Sequence, residues 1–236
     1  FGGAINLYTR DEWPPISAII RNNVFRDNRS GFGSALCAAG ATMEFRDNLV
    51  ENNWCAYDGG AIFLWNATEL AIIAGNQFVR NVAGDHGGAI AAWAYGRSEI
   101  QFNVLAHNHA YGIDSGGFNG IGGAIHLSRG AGTLSNNTIV HNTADRECGG
   151  GGVTLTMSPN WTIERNIIAY NGEREIVSTH ANATSRVRDN IIYGNNLSDL
   201  NCNNVSSRTL VAFTNNIEAD PLFCNPGADD FHVATN

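Results

Sequence analysis

Along this chain apolar residues recur two apart in short runs rich in β-branched side chains, and glycine or asparagine punctuates every run. One run follows a Gly-Gly-Ala-Ile motif or a variant, beginning at Gly2, Gly33, Gly59, Gly87, Gly122 and Gly150. Three residues after the first glycine stand Ile5, Leu36, Ile62, Ile90, Ile125 and Val153, and two further on stand Leu7, Ala38, Leu64, Ala92, Leu127 and Leu155. A second pattern is an asparagine, four residues, and another asparagine: Asn23/Asn28, Asn48/Asn53, Asn76/Asn81, Asn103/Asn108, Asn137/Asn142, Asn166/Asn171 and Asn190/Asn195, with a half-copy at Asn216. Three before each first asparagine sits Ile20, Phe45, Ile73, Ile100, Leu134, Ile163, Val187 or Phe213. Two after it sits Phe25, Val50, Phe78, Leu105, Ile139, Ile168 or Ile192, and only the eighth copy breaks the column with Glu218. Period-two alternation in short punctuated runs predicts strands with one buried face. No stretch carries a 3.6-residue period, so the chain is expected to be all-β.

The two patterns recur together at intervals of 24 to 34 residues. Self-similarity at that period means a solenoid. Two or three short strands per repeat, and no helix, fit one coil of a right-handed parallel β-helix, with about 7–8 coils in all. Strands of successive coils would then pair at about 4.8 Å, giving a rod near 40 Å long, and equivalent asparagines would bond coil to coil. A leucine-rich repeat shares the period and an asparagine ladder but needs a leucine framework that this chain lacks.

GGA-[ILV] combined with F-x-x-N, intact at Phe25–Asn28 and Phe78–Asn81, resembles the repeats of the chlamydial polymorphic outer-membrane proteins and of the wider pectate-lyase-like β-helix group. The tail Asp220-Pro221-Leu222-Phe223 with Phe231-His232-Val233 is similar to the closing segment of many such proteins. The resemblance implies the fold across nearly the whole chain. For function it implies adhesins, surface proteins or carbohydrate enzymes, since fold alone does not fix activity. Enzymes of that group acting on uronate polymers use calcium-binding carboxylates and an Arg or Lys base.

At 236 residues and 43% hydrophobic, residues 1–236 can form a single cooperative array. Segment 196–236 reads as a looser last coil and closing segment. Because Phe1 lies inside a repeat, the chain is expected to be a piece of a longer one. Its net charge is −8, and all 14 basic residues are arginine, scattered rather than clustered. That argues against a nucleic-acid partner. No apolar run reaches the length of a membrane span. The partners expected are other protein chains, through self-association or surface assembly, or glycans; no cofactor is expected.

Cys37, Cys55, Cys148, Cys202 and Cys224 have no zinc spacing. In an exported protein the expected disulfides are Cys202–Cys224 and Cys37–Cys55, with Cys148 left over. Buried free thiols are the alternative. N-x-[ST] occurs at Asn66, Asn136, Asn160, Asn182, Asn196 and Asn204, which are N-glycosylation candidates, and at Asn28, which belongs to the inner ladder. Together these point to an extracellular or cell-surface glycoprotein.

If the third and fifth residues after the first glycine point inward, the fourth and sixth point out. Those outward columns read Asn6, Cys37, Phe63, Ala91, His126, Thr154 and Tyr8, Ala39, Trp65, Trp93, Ser128, Thr156. Phe63, Trp65 and Trp93 are therefore candidate binding residues, able to stack on sugar rings or on a partner. The columns hold no carboxylate for glycoside hydrolysis, and no catalytic residue is assigned. His107 and His141 precede equivalent asparagines and should be neighbours, with no third metal ligand evident. Asp58 and His86 are equivalent too, each directly before Gly-Gly. They read either as an acid and a base or as turn residues. The function expected is a non-catalytic structural or adhesive module, such as a filament or appendage subunit. The rivals are a polysaccharide lyase, a glycoside hydrolase or a carbohydrate-binding module.

Overall fold

A computed structural model describes residues 2–9, 16–65, 70–93, 96–112, 120–145, 149–157, 160–172, 176–178, 185–195 and 212–233. The described residues form an all-β parallel solenoid of about six turns, without an α-helix. Each complete turn contributes one strand to each of four parallel sheets. The glycine face is built from Ile5–Tyr8, Leu36–Ala39, Ile62–Trp65, Ile90–Trp93, Ile125–Ser128, Val153–Thr156 and Ile176–Ser178. The second face begins with Ser17–Arg21 and Thr42–Arg46, the third with Val24–Arg26 and Leu49–Glu51. A short fourth face begins with Arg29–Ser30 and Trp54–Cys55. The four parallel sheets run in coil order, so each inner strand pairs with its equivalents one coil before and one coil after.

The inward columns are those that the apolar pattern predicts. Ile62, Ile90, Ile125, Phe45, Ile73, Ile100, Phe78, Leu105 and Ile139 are all fully buried in one core that runs the length of the solenoid. Register holds them in line: Ile73 pairs with Phe45 and Ile100, and Phe78 with Val50 and Leu105. A one-residue slip would turn an entire column out of the core, so the alternation itself locks the pairing.

The two asparagine columns form the predicted ladders. Asn76 Nδ2 donates to Asn103 Oδ1 at 2.9 Å, and the Asn76 backbone N–H donates to the same oxygen at 2.9 Å. Asn76 Nδ2 also donates to Phe45 O at 2.9 Å, in the preceding coil. The scheme repeats in the other column, as at Asn81, Asn108 and Asn142. These amides are 0–2% exposed in the middle coils, so every donor and acceptor met inside is one that water could not have served. The residue ahead of each rung is left-handed, with φ of 57° at Asp27, 56° at His107, 54° at His141 and 55° at Tyr170. That conformation costs an ordinary residue about 1–2 kcal/mol, which the bonded asparagine behind it offsets.

The glycine motif has two separate causes. Gly59, Gly87 and Gly122 carry φ of +69°, +65° and +70°. The second glycine is needed for space, because a Cβ on Gly88 would lie 2.1 Å from Gly123 O in the next coil. After the last strands, Phe223–Asn225 and Asp230–Val233 form an antiparallel pair. Phe231 from this hairpin packs on Ala106, Val140 and Ala169 at the third face.

Two expectations are corrected. Cys37 and Cys55 are free thiols rather than a disulfide. They belong to one coil, but Cys37 lies in the glycine-face strand among Phe63 and Ala91, outside the main core, whereas Cys55 is wholly buried on the short fourth face. Burial pushes the Cys55 thiol up to about 12 and raises Cys37, so both stay protonated and unreactive. Cys224 is an exposed free thiol, while Cys202 and Cys148 lie outside the described residues. The second correction concerns the outward column of the glycine face, which is not open to water. Cys37, Phe63, Ala91, His126 and Thr154 are each 5% exposed or less.

Candidate functional site

The covering of that outward column is built from the residue directly before each glycine pair. At this corner the chain carries Phe32, Asp58, His86 and Ile121 in successive coils. The following glycine sits in the left-handed region, and its N–H ties the corner to the next coil, as in Gly59 N to His86 O at 2.9 Å. The corner side chain leans over the strand of the following coil. Phe32 stacks on Phe63 at 5.0 Å between ring centroids, and His86 stacks on His126 at 4.7 Å. The glycine face thus has a second, outer layer that alternation along a strand does not announce.

Within this layer the corner places Asp58 beside His86. Asp58 Oδ1 and His86 Nδ1 share a hydrogen bond of 2.6 Å, and each side chain is only 12% exposed. Asp85, the residue before His86, completes a cluster in which one ligand atom from each of the three residues lies within 4.8 Å of the others. Trp93 stands edge-on to both rings, at 5.9 Å from His86 and 5.7 Å from His126. His126 donates to or accepts from Thr156 Oγ1 through Nε2 at 3.0 Å, while its Nδ1 and Trp93 Nε1 are buried without a hydrogen-bond partner. Burial first, and His86 second, hold the His126 pKa well below its ordinary value, so the ring is neutral.

The three aromatic candidates divide. Trp65 and Trp93 are register partners on adjacent coils, as expected. Trp65 is 46% exposed, but Trp93 is half-buried under the histidines and Phe63 is 5% exposed inside the outer layer. Of the three, Trp65 is the most exposed and Phe63 the most buried. Of the sequons, Asn136 and Asn160 are exposed, the first at a left-handed corner with φ 56° and the second at the start of Asn160–Glu164. Asn66, Asn182, Asn196 and Asn204 lie outside the described residues.

A second cluster forms at the corner that precedes the second asparagine column. His107 and His141 stack nearly parallel, 5.1 Å apart with 4° between the rings, and Tyr170 continues the pile at 5.5 Å from His141. The C-terminal hairpin closes over it. Asp229 pairs with His107 at 2.8 Å and Arg80 at 2.7 Å, Phe231 rests against both imidazoles, and Tyr170 Oη donates to Asp220 at 2.7 Å. Beside the hairpin lies a cleft of about 400 Å³ lined by Leu49, Val79, Arg80, Val104 and Asp229 among others.

Asp58 with His86, and His107 with His141, are pairs that column equivalence alone anticipates. Asp85 and Asp229 are not, because neither occupies a repeated column that the apolar pattern singles out. Among the described residues no helix is long and apolar enough to cross a membrane. No family model matches the chain, and neither a curated protein nor a solved structure matches it.

Proposed function

We propose that this chain is a rigid, non-catalytic module of an extracellular or cell-surface protein, wound as a right-handed β-helix of seven to eight coils, whose role is to hold a long, stiff adhesive or structural surface. The observation that carries this reading is the continuity of the two asparagine ladders, which link coil to coil without a break from Asn23 to Asn216 and from Asn28 to Asn195. A chain of buried amides with every bond made resists bending and local opening, since each broken rung leaves polar groups stranded. The resemblance of the repeats to those of surface β-helix proteins points the same way. The test is a screen of the purified protein for turnover on pectin, alginate and related polymers, with and without calcium. The expected result is none, together with rod-shaped particles by electron microscopy; sustained turnover overturns the reading.

A second reading is glycan binding, favoured by Trp65, whose exposed ring stands in register with Trp93. Aromatic faces stack on sugar rings. Glycan-array binding lost in Trp65→Ala would establish it.

A further inference from the structure

We propose that Asp58, Asp85 and His86 form a binding site for a divalent transition-metal ion of the zinc type. This goes beyond the scaffold reading and does not depend on it. Among the described residues, this is the group of three or more metal-ligating side chains whose ligand atoms converge, all lying within 4.8 Å of one another. The donor set is one imidazole and two carboxylates, which suits zinc, with open positions left to water. Calcium and magnesium prefer an all-oxygen shell.

The distances fit a site one small step from loaded. Ligand atoms about 2.0 Å from a tetrahedral ion lie about 3.3 Å apart. Asp58 Oδ1 and His86 Nδ1 are 2.6 Å apart and the three ligand atoms all lie within 4.8 Å of one another, so small side-chain shifts reach that spacing. The metal would take the place of the proton that Asp58 and His86 now share.

The backbone holds the ligands where they are. Asp58 and His86 precede glycines of φ +69° and +65° in adjacent coils, and the coils are zipped on both sides of the site. Gly59 N–H donates to His86 O at 2.9 Å, and Asp85 N–H donates to Tyr57 O at 2.9 Å. Ligands fixed by a ladder need little ordering when the ion arrives. At 12% exposure for Asp58 and His86, the site is largely stripped of water yet reachable. A second observation stands beside the first. His126, 1% exposed, has an Nδ1 with no partner and lies stacked on His86. The fold alone does not use this buried polar atom.

The experiment is calorimetric titration of the full chain with ZnCl2, and separately with CaCl2, comparing wild type, Asp85→Asn and His107→Ala. The expected result is one zinc per chain with micromolar affinity or better, no comparable calcium binding, and a zinc-dependent rise in Tm. Asp85→Asn should weaken zinc by at least about ten-fold, and His107→Ala should leave it unchanged. Cobalt in place of zinc should give d–d absorption without a thiolate charge-transfer band. In the wild-type protein zinc must shift the imidazole NMR signals of His86, so the test does not depend on any variant folding. Binding only at millimolar zinc, affinity indifferent to Asp85→Asn, a thiolate band, or unmoved His86 signals would each overturn the site.

Discussion

Inside the wall of this solenoid successive described coils repeat one another; outside, the corner residues change from coil to coil. The inner columns carry Ile62, Ile90 and Ile125, or Asn81, Asn108 and Asn142, in unbroken succession. The outer corner column reads Phe32, Asp58, His86 and Ile121 over the same coils. The difference teaches where each kind of information lies. Inner positions must satisfy two neighbours of the same kind, so deviation at one rung damages three coils. Outer positions meet whatever the next coil offers, and they are free to hold chemistry.

The sharpest way to break this contrast is a rung deletion. Asn108→Ala removes the acceptor used by Asn81 N–H and Nδ2 and the donor to Phe78 O. It should cost roughly 3–5 kcal/mol, read as a fall in the denaturation midpoint. Gly88→Ala comes next. Its Cβ would meet Gly123 O at 2.1 Å, so adjacent coils must part, at about 2–3 kcal/mol measured the same way. If either substitution proves neutral, the inside is less uniform than described.

On the outside, effects should be smaller and particular to one site. Burial, chiefly, holds His141 below its ordinary 6.5, with His107 adding repulsion and Asp229 opposing it; Tyr170 and Phe231 also face the ring. His126 is shifted in the same direction. A histidine whose folded pKa is depressed contributes full stability above the unfolded value. As pH falls below 6.5 the unfolded chain takes up protons that the folded one refuses, and that contribution is lost through the folded pKa. Tm should therefore decline from pH 6.5 downward more steeply in wild type than in His141→Gln. Smallest of all, Trp65→Ala should change stability by less than about 0.5 kcal/mol. Trp93→Ala should cost more, because its ring packs against His86 and His126. Equal effects for the two would mean that Trp65 is as buried as its partner.

How much could be read beforehand follows the same division. Inner residues such as Ile90 and Asn103 are legible because the same physical demand recurs in each coil and leaves a period. The outer layer is not, because alternation along Ile62–Trp65 says which way Phe63 points but not that Phe32 from the preceding coil will lie on it. Cys37 and Cys55 looked like a pair by proximity in sequence, yet they belong to different faces of one coil. Asp58 and His86 were legible as neighbours because both precede Gly-Gly. Asp85 joins them only through the local course of the corner, and Asp229 reaches His107 across 122 residues, a distance that no repeat encodes.

The ladders also have a sense of travel. In every rung the amide of one coil hands its hydrogens to the oxygen of the next, from Asn48 to Asn76 to Asn103 to Asn137 and onward. The solenoid therefore carries an arrow along its axis, each rung's side-chain oxygen accepting from the coil before and its amide donating to the oxygen of the coil after. Two copies placed nose to nose would set like against like. Any copy that continued this grain would have to follow tail behind nose, as cars of a train couple only in one orientation.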